Sequence, residues 1–187
     1  MTLKIGVFLL LLKLTQGVAD DCYTKPVGIS DPRKIPDNQM TASSQYNHGY
    51  QAAYGRLNGD RGDGWCAKEA GKNDDWLQVD LGKTIALCAI ATQGDRNGNE
   101  WVTAFKLSSS SDAQTWTPYK DANDMEVEFH RQGDSNTVDQ HKLPVIVNAR
   151  YLRFNPTQRH AWNCLRVEAY GTEASFKEEP EYSCEQA

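Results

Sequence analysis

The sequence predicts an all-β domain of sandwich or barrel type. Three observations predict it. Several short segments alternate apolar and polar residues, as half-buried strands do. One longer run is apolar throughout, as a strand covered on both faces reads. Stretches rich in Gly, Asn and Asp separate these segments, and no long helical period appears between them.

The elements follow in chain order. Residues 1–19 carry Lys4, an apolar run from Ile5 to Leu12 closed by Lys13, and small residues at Gly17 and Ala19. That pattern predicts a secretory signal peptide cut after Ala19. The apolar run is far shorter than the roughly 20 residues a membrane span needs. In WLQVDLG (76–82), Leu77, Val79 and Leu81 share one face, with Trp76, Gln78 and Asp80 on the other. TIALCAIATQG (84–94) is the continuous apolar run. WVTAFKLS (101–108) reads with Trp101, Thr103, Phe105 and Leu107 on one face. NARYLRFNPT (148–157) points Leu152 and Phe154 inward, and CLRVEAYG (164–171) points Leu165, Val167 and Ala169 one way. Residues 45–55, 59–75 and 94–100 read as loops, SSDAQTW (110–116) as a polar turn, and 172–187 as an acidic tail.

The 187 residues suffice for one domain with a sizeable core. Removing residues 1–19 lowers the basic count from 20 to 18 against 25 acidic residues, so the net charge moves from −5 to −7. Such a chain is a poor general binder of nucleic acid or of anionic membrane. Cys22, Cys66, Cys88, Cys164 and Cys184 are too widely spaced for the usual zinc patterns, and secretion favours disulfides. No N-x-S/T acceptor is present, since Pro156 blocks the one at Asn155. No G-x-S-x-G, H-E-x-x-H or phosphate-loop pattern accompanies His48, His130, His141 and His160, so the chain reads as a binding module and not an enzyme.

Eight segments in order carry a resemblance: 26–46, YGRLN (54–58), GDGWCA (62–67), DWLQVDLG (75–82), ATQGD (91–95), 101–119, ARYLRFNP (149–156) and LRVEAYG (165–171). Together they resemble the discoidin domain, also called the coagulation factor V/VIII type C domain, over residues 20–171. The resemblance implies an eight-stranded jelly-roll β-sandwich that is secreted, is non-catalytic and binds ligands through loops at one end. TASSQY, AAYGRL and GDGWC are most similar to the collagen-binding discoidin-domain receptors. That subgroup implies a Cys66–Cys164 disulfide. The family's bridge between the domain ends implies Cys22–Cys184 here, although Thr172 stands where its second cysteine is expected. Cys88 is then a free, buried thiol.

The resemblance maps a first ligand-binding loop to 45–55, with Tyr46, His48 and Tyr50 at its tip, and a further loop to 94–100, with Arg96, Asn97 and Glu100. Amphipathic rings suit a protein groove or an interface better than deep burial in lipid. The expected ligand is therefore an extracellular protein, collagen-like or an integrin, or a cell-surface glycan; anionic phospholipid is disfavoured. Arg61-Gly62-Asp63 spells a tripeptide that integrins read, and it equally reads as a turn. Asp60, Asp63, Asp74 and Asp75 offer oxygen ligands for calcium without an EF-hand spacing, so no metal or other cofactor is expected.

Overall fold

The computed structural model describes residues 22–70 and 74–174. Residues 1–19, expected as a leader, and Cys184 lie outside the described residues. Eight strands form one curled antiparallel sheet: β1 (Met40–Ala42), β2 (Trp65–Cys66), β3 (Leu77–Gln93), β4 (Trp101–Ser110), β5 (Thr117–Pro118), β6 (Glu128–His130), β7 (Asp139–His160) and β8 (Cys164–Glu173). The order across the sheet is β2-β8-β3-β7-β4-β5, with β1 against β3 and β6 against β4. The jelly-roll-type, all-β architecture expected from the sequence is present. β8 runs through Glu173, so the first residues assigned to an acidic tail belong to the sheet, where Glu173 pairs with Ile85.

Long strands allow one sheet to wrap a core. β3 changes register between Asp80 and Ile85 and again between Leu87 and Ala89. At the first break Gly82 takes φ +76°, a backbone conformation that costs a side-chain-bearing residue about 1 kcal/mol or more. Leu77, Val79 and Leu81, read as one face, are buried with Leu87, Ile90, Phe105, Leu107, Leu152, Phe154, Leu165 and Val167. Each such side chain contributes about 1.5–3 kcal/mol on leaving water. Phe105 stacks on Phe129 at 5.3 Å between ring centroids.

Two readings need correction here. In β4 the buried apolar residues are Val102, Ala104, Phe105 and Leu107, whereas Trp101 and Thr103 are half-buried. Register shifts at Val102/Ala104 and Ala104/Phe105 break the alternation, and one extra residue moves every later side chain to the other face. Core packing, the default reading of Trp65, Trp76, Trp101, Trp116 and Trp162 as motif tryptophans, is also wrong for most of them. Trp65 is fully buried, but Trp76 and Trp116 lie on the outside, with the Arg153 guanidinium between them at 4.1 and 3.8 Å.

The disulfides correct a third. Cys66 bonds Cys164, directly opposite it in the β2–β8 register, as the resemblance implied. Cys22 bonds Cys88, not Cys184, and Cys88 is not a free thiol. The reason is the second register break in β3. Leu87 and Ala89 both have partners on β7 and β8, and Cys88 between them has none. The N-terminal segment runs beside β8, held by Val27 N–H to Ala169 O at 2.8 Å and Gly171 N–H to Lys25 O at 3.0 Å, which brings Cys22 within reach. The fifth cysteine is therefore Cys184.

Buried charges on β8 tie the irregular segments to the sheet. Arg166 donates to Gly94 O at 2.7 Å, Asn136 Oδ1 at 2.7 Å and Ser135 O at 3.3 Å, which positions the 94–100 turn. Gly55, Leu57, Trp65 and Pro26 lie along the free edge of β8, so that edge is covered.

Candidate functional site

The loop end is assembled from three turns over the Cys66–Cys164 bridge. The first follows β1. Tyr46 N–H donates to Cys66 O at 2.9 Å, and Asn47 Oδ1 accepts from Gly49 N–H at 2.7 Å. This side-chain turn holds Tyr46 outward, 53% exposed, and Tyr50 inward. The second joins β3 to β4. Asp95 Oδ1 accepts from the N–H groups of Asn97 and Gly98, both at 2.9 Å, and Asp95 N–H closes the turn on Glu100 O at 2.8 Å. The third joins β7 to β8. Ala161 takes φ +58° there, and Trp162 Nε1 donates to Ala67 O at 2.7 Å.

These turns enclose a cavity of about 270 Å³ lined by Tyr46, Tyr50, Asp95, Glu100 and Trp162, with the Cys66–Cys164 disulfide completing the lining. The Tyr46 ring meets Trp162 edge-on at 5.4 Å and Tyr50 at 5.6 Å, arrangements that aromatic quadrupoles favour. The two carboxylates converge: a Cβ on Gly98 would collide with Asp95 Oδ2 and Glu100 Oε2. Asp95 is 3% exposed. The Tyr50 hydroxyl is pushed above its ordinary pKa, first by burial and then by the charges of Asp95, Asp63 and Glu100. Chemically the cavity offers aromatic faces and hydrogen-bond acceptors, with no lysine or arginine in its described lining.

Of the residues singled out in the sequence, Tyr46, Tyr50 and Glu100 meet here. His48 is exposed and outside the lining. Arg96 and Asn97 turn toward the neighbouring loop. The Arg96 guanidinium donates to Asp60 O at 2.5 Å and its N–H to Asp63 O at 2.8 Å, while Asn97 Nδ2 donates to Asp63 Oδ1 at 2.5 Å. Trp162 joins the cavity residues although no loop pattern singles it out; its place in HAWNC, a polar stretch between two strands, is the available signal. Asp95 ends the apolar run as a turn-former, which hides its second role.

Arg61-Gly62-Asp63 is folded into the same end. Arg61 pairs with Asp37 at 2.8 Å and lies 5.4 Å from the Tyr54 ring centroid. That pairing raises the Arg61 pKa and lowers that of Asp37. Gly62 takes φ +62°, and a Cβ there would strike the Tyr54 ring. The four aspartates considered for calcium do not converge. Asp75 accepts from the Ser43 and Ser44 hydroxyls, at 3.0 and 2.8 Å, in a cleft it shares with Asp74, while the Asp60 main-chain carbonyl accepts from Arg96 and the Asp63 carboxylate from Asn97. Among the described residues, the one group of three metal-type side chains close enough to share an ion is Cys66, Asp95 and Cys164, and its sulfurs are bonded to each other.

Comparison with known proteins identifies the family and the fold. The family model for the F5/8 type C domain matches residues 39–169. Neuropilin-1a of Danio rerio is 34% identical over 170 residues, spanning 88% of this chain but 17% of that relative. Among solved structures, discoidin II of Dictyostelium discoideum superposes with a TM-score of 0.64 at 21% identity, covering 73% of this chain and 56% of its own. The family 32 carbohydrate-binding module of NanJ from C. perfringens, solved with galactose, superposes with a TM-score of 0.54 at 20% identity, covering 73% and 96%.

Proposed function

The chain belongs to the F5/8 type C domain family, and from that premise we propose that it is a non-catalytic, extracellular binding module whose loop-end cavity takes a carbohydrate of a matrix or cell surface. The observation that carries this reading is the joint lining by Tyr46, Tyr50, Trp162, Asp95 and Glu100. A sugar presents C–H faces that pack on aromatic rings and hydroxyls that donate to carboxylates. At about 270 Å³ the cavity lies just below the usual range for ligand sites, about 300 to 1,000 Å³, so its size fits only a small ligand group such as one sugar ring. Two disulfides support an oxidising, extracellular setting. The galactose held by the NanJ module supports a sugar as the ligand type on this fold.

The integrin reading has less support. Both charges of Arg61-Gly62-Asp63 already have partners within the fold, and a receptor would have to replace Asp37 and Asn97. A collagen-like ligand gripped by Arg96 would have to break its bond to Asp60 O. Lipid insertion is supported least, because Tyr46 is the one large exposed apolar side chain of the 45–55 and 94–100 loops.

Immobilised glycans probed with the native protein and with Tyr46→Ala test this function. Native binding to a defined sugar, weakened about tenfold or more by Tyr46→Ala, is the expected result. Undiminished binding by the variant refutes the cavity as the site. Cell attachment lost in Arg61→Ala but kept in Tyr46→Ala returns the function to the tripeptide.

A further inference from the structure

Resting on the reading of this cavity as a glycan site, we propose that its ligand is a cationic sugar: an unacetylated amino sugar whose ammonium group faces Asp95 and Glu100 while its ring lies against Tyr46 and Trp162. The charge of the lining carries the inference. Asp95 is almost fully buried, its Oδ1 is occupied by two backbone N–H groups, and its Oδ2 has no hydrogen-bond partner among the described residues. The Glu100 carboxylate is half-buried and has neither a hydrogen bond nor an ion pair among them. The two groups converge over Gly98. Two carboxylates that share a partly dry cavity repel each other and have lost hydration. A cation between them relieves both costs.

The neighbouring arginines do not do this. Arg96 is spent on Asp60 O, and Arg166 on Gly94 O, Ser135 O and Asn136. Arg166 feels the charge of Asp95 and so offsets it in part. A metal ion is the less suitable cation, because three of the seven lining side chains are aromatic and two are bonded sulfurs. An ammonium group gains from both carboxylates and rings: charge-assisted hydrogen bonds from its three N–H groups, and attraction to the π faces. An N-acetyl group removes the charge and adds bulk, and a sugar acid would be repelled.

The test is calorimetric titration of the purified protein with chitotriose and with its fully N-acetylated counterpart, at slightly acidic pH and physiological salt. A short ligand and screening salt limit general attraction of a polycation to an acidic protein. The native protein is expected to bind the unacetylated trimer about tenfold tighter or more. Glu100→Gln, which keeps shape and removes charge, is expected to cut that preference to about threefold or less at an unchanged melting temperature. Equal affinity for the two trimers, or a preference that survives Glu100→Gln, overturns the proposal. Binding of neutral sugars alone, lost in Tyr46→Ala, also overturns it while leaving the glycan site standing. Absence of binding to any sugar refutes both readings. Nα-acetyl-lysine amide binding as tightly as glucosamine overturns the sugar assignment and makes a protein amine the ligand.

Discussion

Glu168, 1% exposed, accepts hydrogen bonds from the backbone N–H groups of Gly28, Ile29, Ser30 and Ala169 at 2.9–3.2 Å. Removing its charge weakens four bonds and turns an amide donor toward N–H groups. Glu168→Gln is therefore expected to lower unfolding free energy by about 3 kcal/mol, read from urea denaturation. Nothing in LRVE announced this, because alternation predicts that Arg166 and Glu168 face water; loops distant in sequence cover that face. His141 gives a second residue-scale prediction. It packs against Phe105 and Phe129, and burial holds its pKa below the usual 6.5, with Asp139 opposing the shift and Arg131 and His130 adding to it. The unfolded chain thus takes up this proton more readily than the folded one. Stability is full above about pH 7, falls as pH drops through the unfolded value, and levels off below the folded one. Melting temperatures measured from about pH 7.5 to 5 should show this slope, and His141→Gln should flatten it. Asp31 and Asp37, held low by Arg33 and Arg61, lose their partners' stabilisation only at more acid pH.

The long strands were legible because burial dictates their pattern. Leu77 and Val79 of β3 share one face of the sheet with their β7 partners Phe154 and Leu152, and Leu81, Leu165 and Val167 are buried in the same core. The short strands β1, β5 and β6 have two or three residues each, too few to show a period. The breaks in β3 and β4 were illegible for a different reason: a bulge is decided by the partner strand, and the sequence of one strand does not record it. The site was half legible. Tyr46, Tyr50 and Glu100 stood out as loop residues, whereas Asp95 and Trp162 became part of the cavity only through the folding together of segments more than sixty residues apart. The 59–65 loop gives the prediction at this scale. Gly62→Ala would force an unfavourable φ and a clash with Tyr54, so a loss of about 1–2 kcal/mol is expected by thermal or urea unfolding. Arg61→Ala, which breaks an exposed, solvent-screened ion pair, should leave the unfolding midpoint nearly unchanged.

For the whole molecule, the two bridges close chain separations of 66 and 98 residues. Each is expected to contribute about 4–5 kcal/mol on a loop-closure account. Replacing Cys22 and Cys88 together by serine should therefore lower the melting temperature by roughly 10 °C. Peptide mapping without reduction should recover Cys22 joined to Cys88, and recovery of a Cys22–Cys184 peptide would refute the pairing. Between those bridges the ligand loops are gripped in a particular way. The Arg166 guanidinium holds the 94–100 and 134–136 turns largely by main-chain carbonyls, those of Gly94 and Ser135, and Trp162 is itself anchored on a carbonyl of Ala67. Every amino acid supplies a carbonyl. Loop side chains that make no such bond, His48 among them, are thus free to drift under selection without loosening the frame. The same grip marks His48 and its exposed neighbours as the positions to randomise in a display library built on this domain.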